Sequence, residues 1–299
     1  LVGLKPTPGR VSTAGVLPAC RTLDCVSVFA LTVDDAAAVL AVAEGPDDSD
    51  DYSAFRPGPA TLPARLRVGV PHQPVLDAGQ GYATAWQQAL RQLLALGATL
   101  VELDFAPLHA VAQLLYSGPW VAERQAVVQG LLDSQPDALD PTVARVIGAA
   151  RGFSAVDTFR AQYALRHHQT QAARLWADVD LLLVPTAPRH PSFADVAADP
   201  VGANALLGTY TNFVNLLGWC ALALPAGTTA GALPFGVTAI GPGGLDAALA
   251  RFGQRWQAQC AQPLGATGRP WAPTAAGSAP GLWPATRRTL PLVVVGAHL

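Results

Sequence analysis

Two kinds of apolar pattern alternate along this chain. Short continuous runs end at proline or glycine, and longer stretches bring an apolar residue back every three or four positions. The first kind predicts strands and the second helices. Residues 25–31 (CVSVFAL) are β-branched and aromatic enough for a buried strand. Thr32-Val33-Asp34-Asp35 then offers cap residues ahead of an alanine-rich helix at 36–43. Residues 66–71 predict a strand stopped by Pro71. Residues 82–96 set Trp86, Leu90, Leu93 and Leu94 at helical spacing and close at Gly97, and residues 98–105 alternate as a strand does. Strand, helix and strand joined by short connections are the rhythm of an α/β layer protein.

The stretch 108–176 predicts mostly helix: 111–132, then 142–150 after a turn at Asp140-Pro141, then 155–177 opened by Ser154. Residues 179–184 form an apolar strand ended by Pro185. Residues 213–224 are apolar almost throughout and stop at Pro225-Ala226-Gly227. Residues 233–240 predict a further strand and 245–260 an amphipathic helix. The acidic stretch 44–59 carries three prolines and lacks the ligand alternation of a calcium loop, so it reads as a surface loop. Proline, glycine and alanine dominate 262–290, the composition of a linker.

Composition narrows the class. Apolar residues make up 51% and charged ones 13%, which favours a folded chain, and 299 residues allow one large domain or two smaller ones. A formal net charge of −2 gives no electrostatic reason to expect nucleic acid or an anionic membrane. No run is long enough to predict a membrane span, and the first residues lack a secretory signal. Cys20, Cys25, Cys220 and Cys260 fit no zinc or redox spacing and read as free thiols in a reducing cytoplasm.

Candidate chemistry is sparse. Ser12, in Arg-Val-Ser-Thr-Ala-Gly, has its glycines three residues away on each side, where a nucleophile elbow needs them two away; a structural turn is the plainer reading. Lys5 is the single lysine against eighteen arginines and reads as a loop anchor. His167 and His168 point about 100° apart on a helix and do not chelate one ion, while His72, His109 and His190 stand alone, so no metal site is predicted. Asp24 lies between apolar stretches and calls for hydrogen-bond partners. The strip Gly-Thr-Tyr-Thr-Asn-Phe-Val-Asn, residues 208–215, is the best ligand candidate. If it packs inside, Tyr210, Thr211, Asn212 and Asn215 need polar partners, from the protein or from a small polar ligand.

Five stretches in this order resemble the amidase-signature hydrolases, and within them the allophanate hydrolase branch. They are GLKPTPGRVSTAGVLPACRTLDCVSVFALTVDDA, ARLRVGVP, DLLLVPTAP, GTYTNFVNLLGWCALALPAG and LPFGVTAIGPGGLD. TYTNFVNLL points to that branch, and the closing PLVVVGAHL resembles the first strand of its separate C-terminal domain. The resemblance implies an α/β/α sandwich with a mixed central β-sheet, of which this chain would hold the second half. Residues 1–261 would be the C-terminal part of the amidase domain, 262–290 a linker and 291–299 the first strand of a further domain. It also implies a serine nucleophile, a second serine in a cis peptide and a lysine base, with no cofactor. No Gly-Gly-Ser-Ser or Asp-Thr-Ala-Gly-Ser stretch occurs here, so all three are expected upstream of Leu1 and the chain alone is expected to be inactive.

The implied reaction takes allophanate to ammonia and carbon dioxide in urea degradation, downstream of urea carboxylase, in a cytoplasmic homodimeric parent. Tyr210, Thr211, Asn212 and Asn215 would help hold the substrate. The strip departs from the family pattern at Gly218, where aspartate is expected, and at Ala205-Leu206, where polar residues are expected. Two other readings stay open: an amidase for another small amide, and a non-catalytic binding subunit.

Overall fold

The computed structural model describes residues 1–272. Among these residues there are seven strands, the first of them outside the predicted runs: β1 (Val2–Lys5), β2 (Val28–Ala30), β3 (Arg67–Pro71), β4 (Thr99–Leu103), β5 (Leu181–Pro185), β6 (Cys220–Thr228) and β7 (Pro234–Gly241). They form one sheet in the order β2-β1-β6-β7-β5-β3-β4. β5, β3 and β4 run parallel to one another, and the remaining pairings are antiparallel, so the sheet is mixed.

Alternation along the strands builds two cores. Leu181 and Leu183 of β5 face one side of the sheet while Leu182 and Val184 face the other, and all four are fully buried. The first side is covered by α1 (Val33–Ala43), α2 (Tyr82–Ala95) and α10 (Asp246–Cys260), which bring Leu40, Trp86, Leu93, Leu249 and Trp256 onto Leu4, Leu222 and Val237. Each large side chain closed off there contributes about 1.5–3 kcal/mol relative to exposure. The second side is covered by α3 (Ala106–Ser117), α4 (Trp120–Ser134) and the single turn α9 (Phe213–Leu216), around Phe105, Trp120, Tyr210, Phe213 and Trp219. The result is an α/β fold with helices on both faces of a mixed sheet.

Most of the sequence-predicted elements stand, with shorter ends. Thr32 caps α1 by accepting from Asp35 N, and Ser154 opens α6 (Ala155–Ala173) in a capping box with Asp157. α5 (Pro141–Gly148) begins after the Asp140 cap. Three differences have physical causes. The helix expected at 111–132 is two helices, broken at Gly118-Pro119. A Cβ on Gly118 would collide with the Leu114 carbonyl oxygen, and Pro119 cannot donate into a helical ladder. The apolar run 213–224 is a helical turn followed by a strand, and β6 continues through Pro225, because a register shift between Pro225 and Gly227 accommodates the missing donor. Two short helices, α7 (Phe193–Ala198) and α8 (Pro200–Leu207), carry no periodicity long enough to predict them. Residues 262–272 form neither helix nor strand, and the rest of the expected linker and the strand at 291–299 lie outside the described residues.

Candidate functional site

β1 delivers the chain into a long irregular segment, residues 6–27, that is fastened at several points. Thr7 donates through its backbone N–H and its hydroxyl to the two oxygens of Asp246 (2.8 and 2.7 Å), and its Oγ1 accepts from Gly244 N (2.8 Å). Asp246 is fully buried in the first turn of α10, where the positive end of the helix favours a carboxylate. Arg10 is buried too. Its Nε meets Glu44 at 2.6 Å, one terminal nitrogen donates to the Arg56 carbonyl at 2.9 Å and lies 3.7 Å from Asp246, and its guanidinium sits over the Phe55 ring.

Beyond this clasp, Ser12 donates to Asp47 (2.6 Å) and Thr13 N donates to Asp50 (2.7 Å). The Ser12 hydrogen bond holds the Asp47 carboxyl below the usual carboxylate range, and the Thr13 backbone N–H does the same for Asp50. Ser12 therefore ties down a loop. Lys5 donates to the Pro6 carbonyl at 2.7 Å and lies 4.0 Å from Cys25 Sγ. Burial pushes the Cys25 thiol up in spite of that ammonium, and it pushes Cys220 up to about 12, so neither is a ready nucleophile. Asp24 accepts from Ala19 N (2.9 Å) and Cys20 N (3.1 Å), the partners its apolar setting required.

The polar strip is divided. Tyr210 is buried and packs edge-on against Phe105, close to His109, and its hydroxyl accepts from Val75 N at 2.5 Å. Asn212 folds its side chain against Gly208, and Thr211 N closes a turn on the Gly208 carbonyl. Asn215 alone of the four lines a cleft of about 640 Å³. Its Nδ2 donates to the Leu23 carbonyl at 2.9 Å, while its Oδ1 is closed off from water and accepts from no donor among the described residues. The cleft opens between Pro8 and Leu23 of the segment, Trp120 and Glu123 in the first turn of α4, and Gln162 and Gln169 of α6. Gly218 lines it as well, at φ +71, a left-handed conformation that glycine adopts without strain. With glycine there, Glu123 is the carboxylate among the residues lining the cleft. A second cavity of about 310 Å³ lies between residues 13–18 and the acidic loop, with Arg21 and Asp24 in its wall.

One functional candidate escaped the sequence reading. Three arginines of the described chain are at least partly buried: Arg10, Arg124 and Arg189. Arg10 and Arg189 each pair with carboxylates, whereas Arg124 has none within 4 Å among the described residues. Its Nε donates to Cys20 Sγ at 3.5 Å. It sits on α4 beside Glu123, which itself accepts from the Thr22 N–H and hydroxyl (both 2.8 Å). A guanidinium drawn partly out of water calls for an anion. Arginine is too abundant in this chain for sequence to single one out, and the helix start that places Arg124 follows the unpredicted break at Gly118-Pro119.

The histidines stay apart: His72 meets Glu102 at 2.6 Å, His190 meets the Pro234 carbonyl, and burial lowers the pKa of His109. Among the described residues no group of three or more His, Cys, Asp or Glu could hold a metal ion, and no helix is long and apolar enough to cross a membrane.

Comparison with known proteins gives this arrangement a context. Urea amidolyase of Saccharomyces cerevisiae is 41% identical over 261 residues, covering 86% of this chain and 14% of that protein. An allophanate hydrolase structure from Kluyveromyces lactis superposes with a TM-score of 0.84 at 38% identity, covering 87% of this chain and 44% of the other. The K. lactis urea amidolyase structure gives a TM-score of 0.88 at 37% identity, covering 91% of this chain and 17% of the other. The chain therefore spans less than half the length of each of these relatives. The family model described as amidase matches residues 1–250, and the chain belongs to the amidase family.

Proposed function

We propose that this chain supplies one wall of an allophanate-hydrolysing amidase site, in a protein that converts allophanate to ammonia and carbon dioxide. The observation that carries the reading is Arg124, a partly buried guanidinium with no carboxylate partner among the described residues, on a helix that also walls an open cleft. Allophanate is a small anion in which a carboxylate is joined directly to the nitrogen of a urea group. A guanidinium binds its carboxylate end through charge-assisted hydrogen bonds. Glycine at 218, in place of the aspartate of the family pattern, adds no second carboxylate to a cleft whose wall already holds Glu123, itself occupied by the Thr22 N–H and hydroxyl. The relatives named urea amidolyase and allophanate hydrolase support the same substrate class.

In this reading Asn215 faces the substrate side, and Tyr210, Thr211 and Asn212 shape the turn that presents it. Bond cleavage belongs to a serine nucleophile, a cis-peptide serine and a lysine base of the family type, and no motif for any of them occurs among these 299 residues. The isolated chain therefore releases no ammonia from allophanate. Its parent acts in the cytoplasm as a homodimer, and a urea carboxylase supplies its substrate.

The test is a chimera in which this chain replaces the matching part of the K. lactis allophanate hydrolase. Ammonia release from allophanate, with kcat/KM reduced in the Arg124→Gln variant, is the expected result. A folded chimera that hydrolyses neutral small amides better than allophanate would overturn the assignment.

A further inference from the structure

The hydrogen-bond partner of Arg124 Nε is a thiol. Cys20 is 4% exposed and sits in the turn held by Asp24. Its Sγ accepts from Arg124 Nε at 3.5 Å and donates to the Trp120 carbonyl at 3.8 Å. Trp120 and Arg124 lie one turn apart on α4, so a single sulfur spans the helix start and the guanidinium. Burial raises the Cys20 pKa while the guanidinium opposes that rise, so the sulfur remains a neutral thiol that orients the cation without neutralising it.

We infer that Cys20 is a positioning residue for anion binding: by occupying Nε it turns the two terminal nitrogens of Arg124 outward to take a carboxylate in a bidentate grip. A carboxylate at position 20 would hold the arginine more firmly but cancel its charge, and an aliphatic residue would leave the guanidinium free to swing. A thiol is a weak acceptor, so it fixes direction at little electrostatic cost. The inference rests on Arg124 as the carboxylate receptor.

The test uses the chain itself with malonamate, the methylene analogue of allophanate that keeps its carboxylate and terminal amide, and with neutral malonamide as control. Expected in Cys20→Ala is a roughly three- to ten-fold loss of malonamate affinity, the scale of one modest hydrogen bond, with malonamide unchanged. Cys20→Ser, which keeps an acceptor, restores most of that loss. The Arg124 Nε–H signal, identified by its absence from Arg124→Gln, shows the motion directly: it is ordered in the parent chain and in Cys20→Ser, and mobile in Cys20→Ala. If Arg124→Gln loses the preference for malonamate while Cys20→Ala keeps it, the positioning role is wrong and the receptor stands. If Arg124→Gln keeps the preference, the receptor assignment fails and the positioning role falls with it.

Discussion

Arg10, buried within the irregular segment, and Arg124, partly buried on α4 against Cys20 of the same segment, differ completely in their surroundings. Arg10 meets Glu44, Asp246, a backbone carbonyl and an aromatic ring. Arg124 meets a thiol. A buried cation whose donors are satisfied closes a structure, whereas one left without a counter-charge marks a place where an anion belongs. The same division runs through the polar strip. Tyr210 has spent its hydroxyl on Val75 N, while Asn215 keeps an unfilled acceptor beside the cleft.

The sharpest break in this comparison comes from the clasp. Asp246→Ala strands the two Thr7 donors and takes one of two carboxylates from beside Arg10, and removal of one partner from a buried ionic network costs about 3–5 kcal/mol. A large fall in Tm, or failure to fold, is expected. Arg124→Gln should do the opposite: stability within about 1 kcal/mol of the parent, and malonamate affinity lower by roughly 10–100-fold, the range for hydrogen bonds to charged groups. Denaturant unfolding of the two variants side by side separates the roles. Tyr210→Phe is smaller, costing about 1 kcal/mol through the lost Val75 hydrogen bond.

The smallest effect lies in the acidic loop. Asp47 and Asp50 have folded pKa values below their unfolded ones, so their tether contributes above the unfolded carboxylate value of about 3.9 and is lost as pH falls through the lower folded values. Ser12→Ala removes the leading cause at Asp47. Its Tm should sit slightly below the parent's at neutral pH, fall less steeply between about pH 5 and pH 2, and meet the parent's at the acid end.

Much of the scaffold was legible in the sequence because local and global preferences agree there. The run 179–184 is apolar on both faces and becomes the interior strand β5, between β7 and β3, and Ser154 and Thr32 cap the helices they announce. Agreement failed where tertiary context decided. Apolar spacing alone does not reveal that Gly118 has no room for a side chain, or that Pro225 sits at a register shift. The site was legible only in part. Polar residues in an apolar setting flagged the strip, but composition does not distinguish Tyr210, which has a partner, from Asn215, which lacks one. Arg124 left no local signal, because its significance lies in the lack of a carboxylate partner among the described residues.

The most direct test of the account is a calorimetric titration of the parent chain with malonamate and with malonamide at neutral pH. Tighter binding of malonamate by tenfold or more, abolished in Arg124→Gln, is the result predicted from a guanidinium that awaits a carboxylate. Equal affinity for the two compounds, or a preference that survives Arg124→Gln, would contradict it.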